Sequence, residues 1–237
     1  MVNVCNFTQP DDSVGLLTID EVGTAFHEFG HALHEMLSKC RYKDVSGTNV
    51  ARDFVETFSQ INENWAFQPE ILSTYAFHHE TGEVIPDSLV TKINNASKFN
   101  QGFMTAELAA ASILDMKWHE LPYDTDWESF DVAAFEKSVC DEMGLIGEII
   151  PRYRSTYFNH IFNSGYNAGY YSYLWAEVLD KDAFEYWQSK GLYNPKVAAR
   201  FRDIFLARGG SEEPMTLYRE FRGADPDPDA LVRARGL

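Results

Sequence analysis

Residues 27–31 read His-Glu-Phe-Gly-His and lie in a segment whose apolar residues recur at helical spacing. On a helix, His27 and His31 leave the same face one turn apart, so both imidazoles can bind a single Zn²⁺. Glu28 points in a neighbouring direction, from which it can take a proton from water at the metal and pass it to a leaving amine. The spacing therefore predicts a helix with two metal ligands and a general base.

The helix that carries this motif is predicted to begin near Asp20, a favourable N-cap, and to end near Lys39. Gly30 lies in its middle, where glycine costs about 1 kcal/mol relative to alanine. This glycine predicts that another segment or a ligand approaches the helix closely. The predicted apolar positions are Val22, Phe26, Phe29, Leu33 and Leu37.

A zinc site needs a third ligand, and His34 is the first candidate because it follows the same helical stripe. The rise from His27 to His34 is about 10.5 Å. Two ligands at about 2.1 Å from one ion cannot span that distance. We therefore predict that His34 is a hydrogen-bonded histidine of the core or one that supports the ligands from behind.

The next predicted helix, Ala51–Phe67, contains three acidic residues. Glu56 lies 25 positions after His31 and is the leading candidate for the third ligand. Asp53 and Glu63 are candidates to orient the histidines through the second ring nitrogen of each. For Asp53 and Glu63, a solvated charge is an equally good interpretation.

The apolar spacing along the rest of the chain predicts a mostly α fold. Strands are limited to a short one at Val14–Leu17 and a turn or edge strand within residues 41–50. A loop covers residues 122–130, an irregular segment covers residues 144–169, and the C-terminal tail is predicted to be coil. The remaining helices are predicted at Pro69–Glu80, Pro86–Phe99, Gln101–Leu121, Val132–Met143, 170–190, 194–208 and 212–222.

The composition excludes some classes of partner. The formal net charge is −16, which disfavours nucleic acids and anionic membranes because their phosphates would be repelled. The three cysteines follow no disulfide or metal-binding pattern, and residues 1–12 lack the features of a signal peptide. No apolar run approaches the roughly 18 residues of a membrane span. We expect a reduced, cytoplasmic protein.

Four groups of residues form one extended pattern along the chain. They are Phe26–His31, Ser46–Asn49, Asp53–Glu56 with Ser59 and Gln60, and His160 with the glycine- and tyrosine-rich run to Trp175. This pattern resembles the M3 family of zinc oligopeptidases. The likeness extends over nearly the whole chain and is greatest to the bacterial peptidyl-dipeptidases (dipeptidyl carboxypeptidases). It implies a zincin-like helical metallopeptidase catalytic core that binds one zinc ion per chain.

The resemblance also implies roles for single residues at the metal. His27, His31 and Glu56 match the zinc ligands of the family. Glu28 matches its general base, which agrees with the role that helical spacing predicts.

The resemblance implies further roles for the histidine and the tyrosines between His160 and Trp175, which match residues that line the cleft opposite the metal. Tyr173 would donate a hydrogen bond to the developing oxyanion, with His160 assisting. Tyr166 would contact the substrate near its C-terminal end, and Tyr170 would help to bind it. For Tyr171 we expect an ordinary packed aromatic residue with one wet end.

The function implied is zinc-dependent hydrolysis of short peptides with release of C-terminal dipeptides. One alternative is an endo-acting oligopeptidase of the same family. Another is a non-catalytic fragment that binds zinc and pairs with a second chain. Enzymes of this family are much longer, so residues 1–237 correspond to the C-terminal catalytic domain without the N-terminal half. This predicts an exposed apolar face that binds a complementary chain or a second copy.

Overall fold

The computed structural model describes residues 2–9 and 14–237, and the fold is mostly α, as predicted. These residues form no β-strand beyond one antiparallel bridge between Phe77 and Val84. None of their helices combines the length and the apolar character that a membrane crossing requires. The α-helices are α1 (Ile19–Leu37), α2 (Arg52–Ala66), α3 (Pro69–Tyr75), α4 (Asp87–Ala96), α5 (Gln101–His119), α6 (Val132–Glu142), α7 (Asn159–Phe162), α8 (Ser172–Lys190), α9 (Pro195–Phe201), α10 (Pro214–Arg222) and α11 (Asp229–Arg235).

The helix α1 begins at Ile19 because Thr18 is its N-cap. The Thr18 hydroxyl accepts a hydrogen bond from the Glu21 N–H at 3.2 Å, and the Glu21 carboxylate accepts one from the Thr18 N–H at 2.8 Å. This reciprocal pair satisfies two backbone donors at the helix start. The prediction of Asp20 as the N-cap is wrong, since it overlooked that pair.

Other predicted elements also differ from the structure. Val14–Leu17 is not a strand, and the segment 41–50 is a turn containing a 3₁₀ helix at Lys43–Val45, without the edge strand. The helix α3 ends at Tyr75, earlier than predicted, because the chain then reverses into the bridge at Phe77.

The predicted coil tail contains the helix α11. Its last residue, Arg235, is 9% exposed, and the guanidinium Nε donates to the carboxylate of Glu177 in α8 at 3.2 Å. This pairing attaches the tail to α8 and stabilises a helix of only seven residues. The continuation of α9 as a π-helix at Arg202–Leu206 confirms most of the prediction for residues 194–208.

The main core lies between α2, α8 and the helices that follow α8. The buried rings of Phe54 and Phe58 from α2 pack together with Phe205 and Phe221 and with Leu179 of α8. Burial of these apolar surfaces is the main stabilising contribution to such a helix assembly.

The apolar face predicted for α1 is only partly correct. Leu33 and Leu37 pack against the main core, as expected. Phe29, in contrast, is 48% exposed, so this helix presents an aromatic side chain to the solvent.

A second, smaller core supports the irregular segment that precedes α8. Ala111 from α5 packs with Phe158, Ile161 and Tyr170, each at most 2% exposed. The segment predicted as irregular contains a 3₁₀ helix at Ser155–Tyr157 and the single-turn α7, and is otherwise turns and loops.

Candidate metal centre

The helices α1 and α2 are in direct backbone contact at Gly30. A Cβ atom at this position would lie 2.6 Å from Cα of Ser59 and 2.7 Å from the carbonyl oxygen of Phe58. The side chain of Asn62 adds a hydrogen bond from Nδ2 to the carbonyl oxygen of Phe26 at 2.7 Å. The close approach predicted from Gly30 is therefore confirmed, and the approaching segment is the helix that carries the third predicted ligand.

The three predicted ligands converge. The Nε2 atoms of His27 and His31 each lie 3.2 Å from Oε2 of Glu56. Ligand atoms arranged as a tetrahedron, each about 2.0 Å from one ion, would lie about 3.3 Å apart. The two distances from Oε2 of Glu56 to the histidine nitrogens therefore match the spacing between ligand atoms of a tetrahedral zinc site. Among residues 2–9 and 14–237, no other group of histidine, cysteine and acidic side chains comes together in this way.

The electrostatics of the ligands favour a cation. Burial by itself would raise the pKa of Glu56, but the hydrogen bonds from His27 and His31 outweigh it and hold that pKa far below its usual range. Burial likewise works to lower the pKa of His27, whereas Glu56 and Glu63 raise it to about 10. The buried carboxylate of Glu56 is therefore stabilised by positive charge on the neighbouring imidazoles. A divalent cation bound between the three side chains would supply the same positive charge.

One of the two predicted supporting carboxylates contacts a ligand. Glu63 lies 2.6 Å from Nδ1 of His27, the arrangement that fixes the orientation of a metal-binding imidazole. Asp53 instead accepts a hydrogen bond from the hydroxyl of Tyr171 at 3.0 Å. The interpretation of Asp53 as an orienting group is wrong, because it lies outside the ligand contacts. Nδ1 of His31 is buried without a hydrogen-bond partner among the described residues.

His34 is fully buried and lies outside the ligand group, as the helical rise predicts. Its ring packs 4.2 Å from the ring of Phe58, centroid to centroid, and burial lowers its pKa to about 4. Neither ring nitrogen has a hydrogen-bond partner within the described part of the chain. His34 is a core histidine, and the expectation that it is hydrogen-bonded is wrong.

A cavity of about 380 Å³ opens beside the ligands. Glu28, His31, Glu56 and Tyr166 line it together with residues 2–4. This volume lies in the range typical of sites for small ligands. Glu28 is half-buried in this wall, so its carboxylate is placed to exchange protons with a molecule bound in the cavity.

Two tyrosines stack next to the ligands. The rings of Tyr166 and Tyr173 lie 5.0 Å apart, and the ring of His160 lies 6.1 Å from each. The Tyr166 hydroxyl donates a hydrogen bond to Oε1 of Glu56. Burial and the charge of Glu56 raise the pKa of Tyr166 to about 12 and also raise that of Tyr173. Both phenols therefore keep their protons near neutral pH and can donate hydrogen bonds.

The other residues of the tyrosine-rich run have different surroundings. Tyr170 is 2% exposed and packs 4.8 Å from the ring of Phe158 in the second core. Its predicted contact with substrate stays a prediction. Tyr171 is 43% exposed, and its hydroxyl donates a hydrogen bond to Asp53. This agrees with the expectation of an aromatic side chain whose hydroxyl end reaches solvent. Burial and then the charge of Arg152 lower the pKa of His160.

A comparison of sequences decides the family. The sequence profile of Peptidase family M3 matches residues 1–237. The chain belongs to peptidase family M3. It is 44% identical over 236 residues to a dipeptidyl carboxypeptidase of Escherichia coli (strain K12) and 45% identical over 237 residues to one of Salmonella typhimurium. It is 40% identical over 235 residues to oligopeptidase A of Haemophilus influenzae.

These alignments cover the M3 chain almost completely but only part of each relative. They include 99%, 99% and 98% of this chain, and 34%, 35% and 34% of the respective relatives. The chain therefore spans about a third of the length of the curated relatives it matches.

One residue of the M3 site was missed by the sequence analysis. Arg52 begins α2, and its guanidinium carbon lies 4.6 Å from the ring centre of Tyr166. Among the described residues that line the cavity, it is the only lysine or arginine. The available signal was its position four residues before Glu56, which puts both side chains on one face of a helix.

Proposed function

We propose that this M3 chain is the catalytic part of a zinc metallopeptidase that hydrolyses short peptides. The observation that carries the proposal is the group formed by His27, His31 and Glu56, with ligand-like spacing beside a cavity lined by Glu28. Residues 1–237 would form one catalytic domain, as the match over the whole chain supports. A cytoplasmic location stays a prediction, with which the three free cysteines agree.

The side chains supply the proton transfers and the hydrogen bonds of this reaction. When bound, zinc acts as a Lewis acid that polarises the scissile carbonyl and makes a water molecule more acidic. Glu28 takes a proton from the attacking water and delivers it to the leaving amine as the C–N bond breaks. Tyr173, assisted by His160, donates a hydrogen bond to the oxygen that becomes negative. Tyr166 holds the carboxylate of Glu56 in place and contacts the substrate.

A metal analysis combined with a cleavage assay tests this proposal. We expect one zinc per chain, cleavage of short peptides, loss of cleavage with a chelator and recovery when zinc is restored. Stoichiometric zinc without turnover would contradict the proposal and favour a zinc-binding fragment that needs a second chain.

We also propose that the peptidase releases C-terminal dipeptides. Two relatives named dipeptidyl carboxypeptidase support this specificity, and Arg52 supplies a cation that a C-terminal carboxylate would require. The guanidinium of Arg52 lies on the ring of Tyr166, whose hydroxyl is hydrogen-bonded to Glu56, so the cation stands beside the proposed ligands in the same cavity.

The dipeptide specificity is tested with matched peptides that end in a free carboxylate or an amide. We expect Arg52→Gln to lower kcat/KM for the free peptide about 10- to 100-fold, the effect of losing a charge-assisted hydrogen bond. The amidated peptide, a poor substrate throughout, should change little. Arg41→Gln, which alters an exposed arginine of the 41–50 turn, serves as the control. An equal loss for both peptides would contradict the assigned role.

An endo-acting oligopeptidase is the second candidate, because the chain is also 40% identical to an oligopeptidase A. Undiminished cleavage of amidated peptides at internal bonds would favour it.

We further propose a protein partner, either a complementary chain or a second copy. Phe29 and Met36 of α1 are 48% and 55% exposed, and Leu16, Leu17 and Phe77 line an apolar cavity of about 410 Å³. Exposed apolar surface of this kind is typical of an interface. A fully active monomer in a sedimentation experiment would contradict this proposal.

A further inference from the structure

The carboxylate of Asp115 is fully buried, although it lies outside the metal centre. Asp115 belongs to α5, and Oδ1 accepts a hydrogen bond from the N–H of Ala168 at 2.9 Å. Oδ2 accepts a second one from the N–H of Tyr170 at 2.8 Å. Both donors belong to residues 165–173, here called the tyrosine loop, which carries Tyr166 and Tyr173.

The turn held by these two bonds has an unusual backbone. Ala168 adopts φ +52°, in the left-handed region, where a residue with a side chain costs on the order of 1–3 kcal/mol. The N–H of Gly169 is bonded to the carbonyl oxygen of Tyr166 at 2.9 Å, so the N–H groups on either side of it need a different acceptor. Asp115 provides that acceptor from a helix more than forty residues earlier in the sequence.

His119 completes the arrangement. It lies one turn after Asp115 on α5, and its Nδ1 is 2.9 Å from Oδ1 of Asp115 and 2.8 Å from the carbonyl oxygen of the same residue. The N–H of Ala168 is also 3.3 Å from this nitrogen. With its proton on Nδ1, His119 donates a hydrogen bond to Asp115 and helps to hold the carboxylate in place, and the N–H of Ala168 then bonds to Oδ1 alone.

We propose that Asp115 is a positioning residue of the peptidase. Its carboxylate fixes the turn at Ala168, and that turn places Tyr166 against Glu56 and Tyr173 beside Tyr166. The inference rests on the proposed function for the roles of the two tyrosines, but the positioning of the loop itself is a structural property that can be measured separately.

Asp115→Asn tests the proposal, because it keeps the size of the side chain but turns one acceptor into a donor that faces a backbone N–H. Hydrogen exchange at the amides of Ala168 and Tyr170 should become at least about tenfold faster, while amides within α2 keep their rates. Unchanged exchange at both amides would overturn the inference. Asp141→Asn, at an exposed aspartate bonded to Lys137, is the control and should leave all these rates unchanged.

The catalytic consequence is tested by coupling. Asp115→Asn should lower kcat about 10- to 100-fold, as expected when a reacting group is misplaced by about 1 Å, with zinc content unchanged. In a Tyr173→Phe background the same substitution should lower kcat by a clearly smaller factor than in the unaltered protein, since the part of its effect that passes through Tyr173 is already lost and only the part through Tyr166 remains. Equal losses in both backgrounds would indicate a merely structural role and overturn the proposal.

If Asp115→Asn fails to fold, His119→Gln replaces it, because the half-exposed His119 is easier to substitute and predicts the same pattern with smaller effects. If the unaltered protein cleaves no peptide, the proposed function fails. The exchange rates at Ala168 and Tyr170 still decide whether Asp115 holds the loop.

Discussion

The proposed metal ligands and the tyrosine loop lie beside the same cavity but are positioned in different ways. His27, His31 and Glu56 stand on two regular helices that touch at Gly30. Tyr166 stands on an irregular loop whose turn is held by Asp115 from a distant helix, and Tyr173 follows that loop in the first turn of α8. Helical spacing and one packing contact thus determine the ligand positions, whereas the loop depends on a few long-range hydrogen bonds. We expect substitutions in the two regions to fail in different ways.

The largest expected effect belongs to the ligand helices. Glu28→Gln should keep zinc bound but lower kcat by several orders of magnitude, because it removes the proposed proton acceptor and leaves the three proposed ligands intact. A discontinuous peptide-cleavage assay measures kcat, and a metal analysis of the same preparation measures the zinc content. Glu70→Gln, at a residue of α3 outside the cavity lining, is the matched control. Near-normal activity of Glu28→Gln would show that the base is another residue.

The next effect belongs to the tyrosine loop. Tyr173→Phe should lower kcat about 10²- to 10³-fold, the usual cost of losing one donor to an oxyanion. Tyr171→Phe removes a hydroxyl from the same loop, but that hydroxyl is bonded to Asp53 outside the site, so kcat should stay unchanged. An unchanged kcat for Tyr173→Phe would transfer the role to Tyr170 or His160.

The same contrast explains how much could be predicted from the sequence. The two helices that carry the proposed ligands were predicted to within a few residues of their ends. The helical period of 3.6 residues also predicted that His27 and His31 share one face. Gly30 indicated a close neighbour, and the structure identifies it as α2. The N-cap at Thr18 was overlooked although its signature is local, a threonine three residues before Glu21.

The parts that could not be predicted depend on contacts between distant residues. The hydrogen bonds of Asp115 to the loop span more than fifty positions, and no pattern near either end indicates them. The exposure of Phe29 also contradicts its place in an apolar helical pattern. The helix α11 was missed because its stabilisation comes from the pairing of Arg235 with Glu177 in another helix.

The smallest expected effect is a change in stability caused by the packing of α1 against α2, measured apart from catalysis. Gly30→Ala should lower the free energy of unfolding by about 1–3 kcal/mol, because the new methyl group meets the backbone of α2. Gly102→Ala in α5 meets no atom within 4 Å, so it should be neutral or stabilise by up to about 1 kcal/mol. Urea unfolding of both variants measures the difference. Equal effects would show that the contact at Gly30 does not control the spacing of the helices.

The central claim, that His27, His31 and Glu56 bind one metal ion, is tested most directly by anomalous X-ray scattering at the zinc edge from crystals containing zinc. We predict one strong peak per chain, about 2.0–2.2 Å from Nε2 of both histidines and from the carboxylate of Glu56. A peak bound by other residues, or no peak with the three side chains still in contact, would contradict the account.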